Sequence, residues 1–464
     1  MTYEIAAGRV LAPFFGTSLL TWTTVIATVL GGFSLGSALG GFVAERPRAV
    51  AIRNVRVALI ATAVLMAVSP TLLGAFHSSG ARGTWGMIVT VVFVFFPASV
   101  AVTLPSPLLA KLAIEARPGR EGSSLGIVMA AGSVGAIFGA ILAGFVTLPL
   151  IGGTMTFAAC GAAALLCLPF LRGGEPVSKG ITAAAVGFVA FAGIAGTPSC
   201  QFESGLSCLH VDERGPEVRL ISDGIMQASE RRVPPGTDDD TVGLGLSYTE
   251  WIWSRMQRDL GPAPSVLFIG GGGYTLPTKL LATRPDAIAV AVEIDPLVTE
   301  VVLAHMPRAG EMIARAGYDA SGPTSASGRL GLVHADGRVY LNETDRRFDS
   351  VVMDAFSSNS VPAHLVTVET FARLRQIVDG PVYVNLIDRE DGPLARGVNA
   401  ILRDLFPHVE VVNGAWNRHG RGNILFVATE EPVRPLAGLP KGYRHATISD
   451  ARAFTDDRGW TGHR

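Results

Sequence analysis

Three carboxylates and a run of glycines stand at spacings that suit a nucleoside. Gly270, Gly271, Gly272 and Gly273 follow the apolar run SVLFI and precede a helical stretch, TLPTKLLATR. Glycines at such a turn let the backbone come close to a ligand. Glu293 closes the apolar run AIAVAVE about twenty residues further on, the place where a carboxylate accepts both ribose hydroxyls. Asp336 ends RLGLVHAD and Asp354 ends FDSVVMD. Thr275 stands where the third glycine of a dinucleotide fingerprint belongs, so no pyrophosphate site is secured. A mononucleoside without phosphate fits better, with S-adenosylmethionine and its decarboxylated form as candidates. Taken alone, the glycine turn also reads as a tight strand-to-helix connection, and Asp354 also reads as the cap of the helix that follows it.

The elements that must position these groups are legible from periodicity. LSCLHV, EVRLIS and GIMQAS are short strand-like segments, and YTEWIWSRM is a helix. Strands and helices then alternate from SVLFIG to NILFVAT. That alternation predicts a mostly parallel sheet covered on both faces by helices. Ligands of such sheets bind at the carboxyl ends of the strands, which places the glycines, Glu293, Asp336 and Asp354 on one rim. No set of metal ligands is expected.

The first two hundred residues have a different solvent. They are dominated by Ala, Gly, Leu, Val, Ile and Phe. Apolar stretches long enough to cross a bilayer are expected near 19–43, 57–76, 86–110, 124–147, 151–171 and 181–197, the last being short. Residues 1–15 read as the second half of a further helix, not as a cleavable signal. Gly32, Gly36 and Gly40, and again Gly135 and Gly139, recur every four residues and predict close helix packing. Basic residues gather in alternate loops: Arg46, Arg48, Arg53 and Arg56, then Lys111, Arg117 and Arg120, then Arg172 and Lys179. Those loops are expected to face the cytoplasm. The soluble half then lies outside if 181–197 crosses fully, and inside if that segment only lies on the surface. A cytoplasmic catalytic domain is the expectation carried forward. The chain has 38 Lys and Arg against 39 Asp and Glu, a balance that argues against a nucleic-acid partner. Four cysteines are too few for a disulfide scaffold, but Cys200 and Cys208 can pair if their boundary faces an oxidising compartment.

The motifs VLFIGGGGYTLP, VEIDP, HADGRVYL and FDSVVMDAFSSNSVPAHLVTVETF resemble the spermidine synthases, a family of aminopropyltransferases, in order and spacing. LISDGIMQASE and SYTEWIW are similar to that family's hairpin and its tyrosine-bearing helix. EIAAGRVLAPFFGTSLLTW resembles the opening of bacterial proteins that fuse a membrane bundle to such a domain. The resemblance implies an α-helical transmembrane bundle (1–199) followed by a small β region (200–240), an α/β Rossmann-like domain of the methyltransferase-like kind (241–435) and a tail (436–464). It implies a multi-pass protein in the cell membrane, acting as a homodimer on putrescine or another polyamine, with decarboxylated S-adenosylmethionine or S-adenosylmethionine as co-substrate.

Residue by residue, the resemblance implies that Gly270 to Gly273 line the nucleoside and that Glu293 holds the ribose. Asp336 and Gly337 contact adenine, Gln227 and Tyr248 border the substrate pocket, and Asp354 is the catalytic base. Two departures stand out. The acid that usually follows the glycines is replaced by Gly273–Tyr274. The second acid beyond the catalytic one falls in Ser357–Ser358–Asn359, leaving Asn359 as the substrate-binding residue there. An ammonium without a counter-charge is costly to bury, so the acceptor is open. A methyltransferase on the same sheet, or a transporter or sensor that only binds a nucleoside, are the alternatives.

Overall fold

The computed structural model describes residues 1–15, 19–195, 200–204, 206–234, 244–316, 329–355, 361–414, 420–449 and 451–459. The chain divides into two compact units, Met1–Cys208 and Leu209–Arg464.

The first unit is helical: α1 (Thr2–Phe15), α2 (Leu19–Ala44), α3 (Arg48–Ser78), α4 (Gly83–Thr103), α5 (Pro105–Glu115), α6 (Glu121–Leu142), α7 (Leu148–Leu166) and α8 (Lys179–Ala195). Among the described residues, four helical stretches are long and apolar enough to cross a membrane: Leu20–Ala44, Arg48–Ser78, Gly83–Glu115 and Glu121–Phe170. The second of them starts nine residues before the expected 57–76, because Arg48, Arg53 and Arg56 are helical as well. The glycine spacing on α2 does what it predicts. A Cβ on Gly32 would lie 2.6 Å from the Ser99 Cβ, and one on Gly40 would lie 2.4 Å from the Leu104 carbonyl oxygen. The second pair divides. Gly139 faces Thr2, whereas among the described residues nothing lies within 4 Å of a Cβ placed on Gly135.

The second unit begins at the small strands. β1 (Phe202–Glu203) still belongs to the first unit, β2 (Cys208–Asp212) spans the boundary, and β3 (Glu217–Ser222) and β4 (Ile225–Arg231) follow. β2, β3 and β4 pair antiparallel in sequence order. The β3–β4 turn places Asp223 at φ 49° and Gly224 at φ 78°, the left-handed pair that a two-residue hairpin needs.

The main sheet follows α9 (Ser247–Asp259). Its elements are β5 (Ser265–Ile269), α10 (Thr275–Thr283), β6 (Ile288–Glu293), α11 (Pro296–His305), α12 (Pro307–Ala316), β7 (Leu330–His334), α13 (Gly337–Glu343), β8 (Ser350–Met353), α14 (Val368–Ile377), β9 (Val382–Asp388), α15 (Pro393–Leu405), β10 (His408–Asn413), β11 (Gly422–Thr429) and β12 (Arg444–His445). The strand order is β12-β10-β11-β9-β8-β5-β6-β7. β5 to β9 are parallel. β11 runs against β9, and β10 against β11. The parallel strands read as unbroken apolar runs because both of their faces are covered. Val266 to Ile269, Ala289 to Val292 and Val351 to Met353 are all buried.

The topology fixes where a ligand can sit. From β5 the chain builds outward through β6 and β7, then returns to place β8 on the other side of β5. The connections leaving β5 and β8 therefore diverge, and the crevice of a doubly wound sheet opens at that switch point. Gly270 and Asp354 are the first residues beyond these two strands. Gly270 has φ 103°, and a Cβ there would meet the Asp354 carbonyl oxygen at 2.4 Å. Only glycine satisfies both the dihedral and the contact. Gly270→Ala is therefore expected to lower the melting temperature of the soluble unit by about 5–10 °C. Differential scanning calorimetry of the detergent-solubilised chain checks this, and an unchanged transition would show the approach to be slack.

Candidate active site

Asp354 is half-buried directly after β8, and both of its oxygens are engaged. Tyr248, in the first turn of α9, donates its hydroxyl to Oδ2 at 3.0 Å. Asn385, in β9, donates Nδ2 to Oδ1 at 2.8 Å. Asn423, in the neighbouring β11, donates Nδ2 to Asn385 Oδ1 at 2.9 Å. That last bond leaves the Asn385 amide a single sensible orientation, with its nitrogen toward Asp354. Withdrawal from water raises the Asp354 pKa to about 6, although the bonds from Asn385 and Tyr248 pull it down. Burial, reinforced by the Asp354 charge, pushes the Tyr248 phenol well above its ordinary value, so it stays a donor. The result is a carboxylate poised near neutrality, held from both sides at the mouth of the crevice. A group so tuned and placed can take a proton from a bound nucleophile.

The glycine turn lies beside it. Gly271 donates its N–H to Glu293 Oε2 at 2.9 Å, and Asp295 donates its N–H to Oε1 at 3.0 Å. Glu293 is the last residue of β6, 9% exposed, and burial raises its pKa. Each oxygen that accepts one backbone N–H keeps a lone pair for a further donor. β4 passes over the turn. The Gln227 carbonyl lies 3.8 Å from where a Cβ on Gly272 would be, and the Ala228 Cβ lies 2.1 Å from that of Gly273. Position 273 therefore has no room for the acid that usually follows the glycines. Tyr274 takes the left-handed conformation at φ 54°, with its ring under the turn. A Cβ on Gly271 would meet that ring at 2.6 Å. The Tyr274 hydroxyl bonds Thr299 Oγ1 at 2.6 Å, and Thr299 meets His334 Nε2 at 2.9 Å.

Asp336 does not end its strand. β7 stops at His334, and Asp336 caps α13, with Oδ1 accepting from the N–H groups of Arg338 at 2.8 Å and Val339 at 3.2 Å. Its other oxygen faces His364 Nε2 at 2.9 Å. Gly337 packs against β5, where a Cβ would meet Ile269 Cγ2 at 2.7 Å. Gly270 to Gly273, Glu293, Gln227, Tyr248 and Asp354 thus gather around the β5–β8 crevice and the turn above it. Asn359 lies outside the described residues. Among the described residues no group of three or more His, Cys, Asp and Glu side chains is placed to hold a metal. Sequence reading passed over Asn385, Asn423 and His364. The signal for the first two was present: a polar amide inside each of the apolar runs VYVNLID and NILFVAT, costly to bury without a partner.

No family model matches the chain. It is 28% identical over 138 residues to the polyamine aminopropyltransferase of Korarchaeum cryptofilum, covering 30% of this chain and 39% of that protein. It is 29% identical over 131 residues to the polyamine aminopropyltransferase of a Ruegeria species, covering 28% and 42% respectively. The match thus spans about two fifths of the length of these curated relatives. Among solved structures, a probable spermidine synthase from Corynebacterium glutamicum matches with a TM-score of 0.45 and 17% identity, over 58% of this chain and 99% of that one. Spermidine synthase from Thermotoga maritima matches with a TM-score of 0.36 and 18% identity, over 54% and 79%. Over the matched stretch the chain is similar to curated polyamine aminopropyltransferases.

Replacing Asn385 by leucine keeps the branched outline of the side chain, at a somewhat larger volume, and removes the donor that holds the charged form of Asp354. Asn385→Leu is expected to raise the Asp354 midpoint above about 6 by roughly one unit. Carboxyl difference infrared titration, with Asp354→Asn as the blank, reads that midpoint directly. An unmoved or lowered midpoint would show that Asn385 does not tune the acid.

Proposed function

We propose that the soluble unit is an aminopropyltransferase that moves an aminopropyl group from decarboxylated S-adenosylmethionine to an amine, and that the apolar helices anchor it in the cell membrane. One observation carries the reading: a carboxylate with its pKa raised to about 6, clamped by Tyr248 and Asn385 at the switch point of the sheet. The glycine turn and Glu293 stand beside it to receive a nucleoside.

The amine nitrogen attacks the carbon next to the sulfonium. A C–N bond forms as the C–S bond breaks, and the sulfur leaves as a neutral thioether nucleoside. The nitrogen sheds a proton to Asp354, which returns it to solvent. Glu293 accepts from the ribose hydroxyls, and Asp336 Oδ2, beside its contact with His364 at 2.9 Å, accepts from the adenine amino group. Gln227 and Tyr248 border the amine. Orientation of two substrates in line supplies much of the rate, and the base contributes the rest.

A second reading has support from position 273. Ala228 occupies the space of the missing acid, so the turn offers no carboxylate to the donor's amine. Intact S-adenosylmethionine, with transfer of its methyl group, fits such a turn as well. Incubating the detergent-solubilised chain with each donor and a panel of amines separates the two. The aminopropyl reading expects product only from the decarboxylated donor, heavier by one aminopropyl group. A gain of one methyl group from the intact donor would establish the second reading in its place.

Glu293 gives a separate test of the nucleoside site. Glu293→Ala should weaken thioether nucleoside binding by about 2 kcal/mol, roughly thirtyfold, because the ribose hydroxyls lose a charged acceptor. Calorimetry giving equal affinity for both proteins would remove Glu293 from the site.

A further inference from the structure

The helical unit has two ends of different chemistry, and its own contacts say which loops share an end. Arg53 Nη1 pairs with Glu175 Oε2 at 2.6 Å, and Arg56 Nη1 donates to the Glu175 carbonyl at 3.1 Å. The Glu175 N–H donates to the Ala49 carbonyl at 3.2 Å, and Lys111 Nζ to the Ala44 carbonyl at 2.7 Å. All three basic loops therefore meet at one end, around the start of α3 and the ends of α2, α5 and α7.

The opposite end is built around a break in α7. Gly152 has φ 72° and ψ 176° and interrupts the helix. Gly153 donates its N–H to Glu203 Oε1 at 3.0 Å, and a Cβ on Gly152 would meet Glu203 Oε2 at 2.7 Å. Arg9 Nε donates to the Ser204 carbonyl at 3.2 Å. His77, at the far end of α3 from Arg53, packs against Phe14 and Phe15. Glu203 and Ser204 lie in the loop closed by the Cys200–Cys208 disulfide. From Gly153 to Leu166, α7 runs about 20 Å, which separates the Glu203 end from the Glu175 end.

α8 joins the two ends. It starts at Lys179, four residues after Glu175, and ends at Ala195, five residues before Cys200. Its 17 residues span about 25 Å, and Ala185 and Val189 are buried in the same core as Ile52, Val55, Ala164 and Leu165. α8 thus packs along the unit through Ala185 and Val189, with Ile181, Val186, Phe191 and Ile194 exposed, and at 17 residues it is shorter than the four candidate spans; we read it as a short crossing helix with an apolar outer face. The sequence had left that alternative open.

We infer that the chain leaves the membrane on the face opposite the basic loops, outside the cytoplasm, and that the soluble unit works there on amines of that compartment. Two independent observations agree. Basic loops mark the cytoplasmic face, and Cys200 and Cys208 are bonded at the other face, where an oxidising compartment keeps disulfides intact. This reverses the cytoplasmic side expected from the sequence. Its last clause, the amine, rests on the aminopropyltransferase reading; the side of the membrane does not.

The test uses the full chain in right-side-out spheroplasts of a bacterial host. Arg258→Cys on the exposed face of α9 and Arg117→Cys in a basic loop are made separately in a Cys160→Ser, Cys167→Ser background. A membrane-impermeant maleimide is expected to label position 258 in intact spheroplasts and position 117 only after permeabilisation. In the unsubstituted chain, acid trapping and mass spectrometry should find Cys200–Cys208 oxidised, a readout that needs no variant. Labelling of 117 but not 258 in intact spheroplasts, or Cys200 and Cys208 trapped as thiols, would overturn the assignment. Donor and amine added outside should give product without permeabilisation. Failure of that arm alone, with 258 labelled, would count against the aminopropyltransferase reading and leave the side standing.

Discussion

The soluble unit is organised by one close approach. Where β5 and β8 part, the backbone of Gly270 comes so near the Asp354 carbonyl that no side chain fits between them. That contact sets the crevice beside the residue whose charge the crevice must control. The Asp354 N–H is tied to the Ile269 carbonyl at 2.9 Å and the Gly270 N–H to the Val292 carbonyl at 2.9 Å. The turn, the acid and the end of β6 are therefore parts of one hydrogen-bonded ladder. A shift in any of them is felt by the others, because packed interiors transmit small displacements.

The second constraint is the state of charge at Asp354. Burial alone would leave it neutral at working pH, and full solvation would leave it a weak base near 4. Tyr248 and Asn385 set the balance between these limits by donating to opposite oxygens. Asn423 removes the freedom of the Asn385 amide to turn round. The network buries two amides in otherwise apolar strands, and those strands still pack because the amides are hydrogen-bonded. Each polar atom named has a partner within 3.0 Å.

Much of this was legible before any coordinates. Apolar runs bounded by turn residues gave the parallel strands, and Glu293 and Asp354 fall at strand ends as the pattern required. The misses have physical causes. Asp336 follows a strand that stops two residues earlier, and its carboxylate caps α13. α12, Pro307–Ala316, is a short amphipathic helix directly after another, and without a glycine or a long loop between them it was passed over. Asn385 and Asn423 sit on different strands 38 residues apart, and only the strand order that puts β11 against β9 brings them together. In the helical unit, spacing identified Gly32, Gly36 and Gly40 as a packing stripe but could not tell that, among the described residues, nothing packs on Gly135. Small residues permit close approach without enforcing it. The disulfide could be stated only as conditional, since pairing depends on the compartment as much as on the spacing.

The central claim is that Asp354 is the base of a transfer reaction and not merely a structural carboxylate. Single-turnover rates for the wild type and Asp354→Asn, set beside calorimetric affinities of both for the thioether nucleoside, test it most directly. The amide keeps the shape and can still cap a helix, but it cannot take the amine's proton. The account expects the transfer rate to fall by about 10²–10⁴-fold while nucleoside affinity stays within a few-fold. A variant that turns over within a few-fold of wild type would contradict it and move the chemistry to another group.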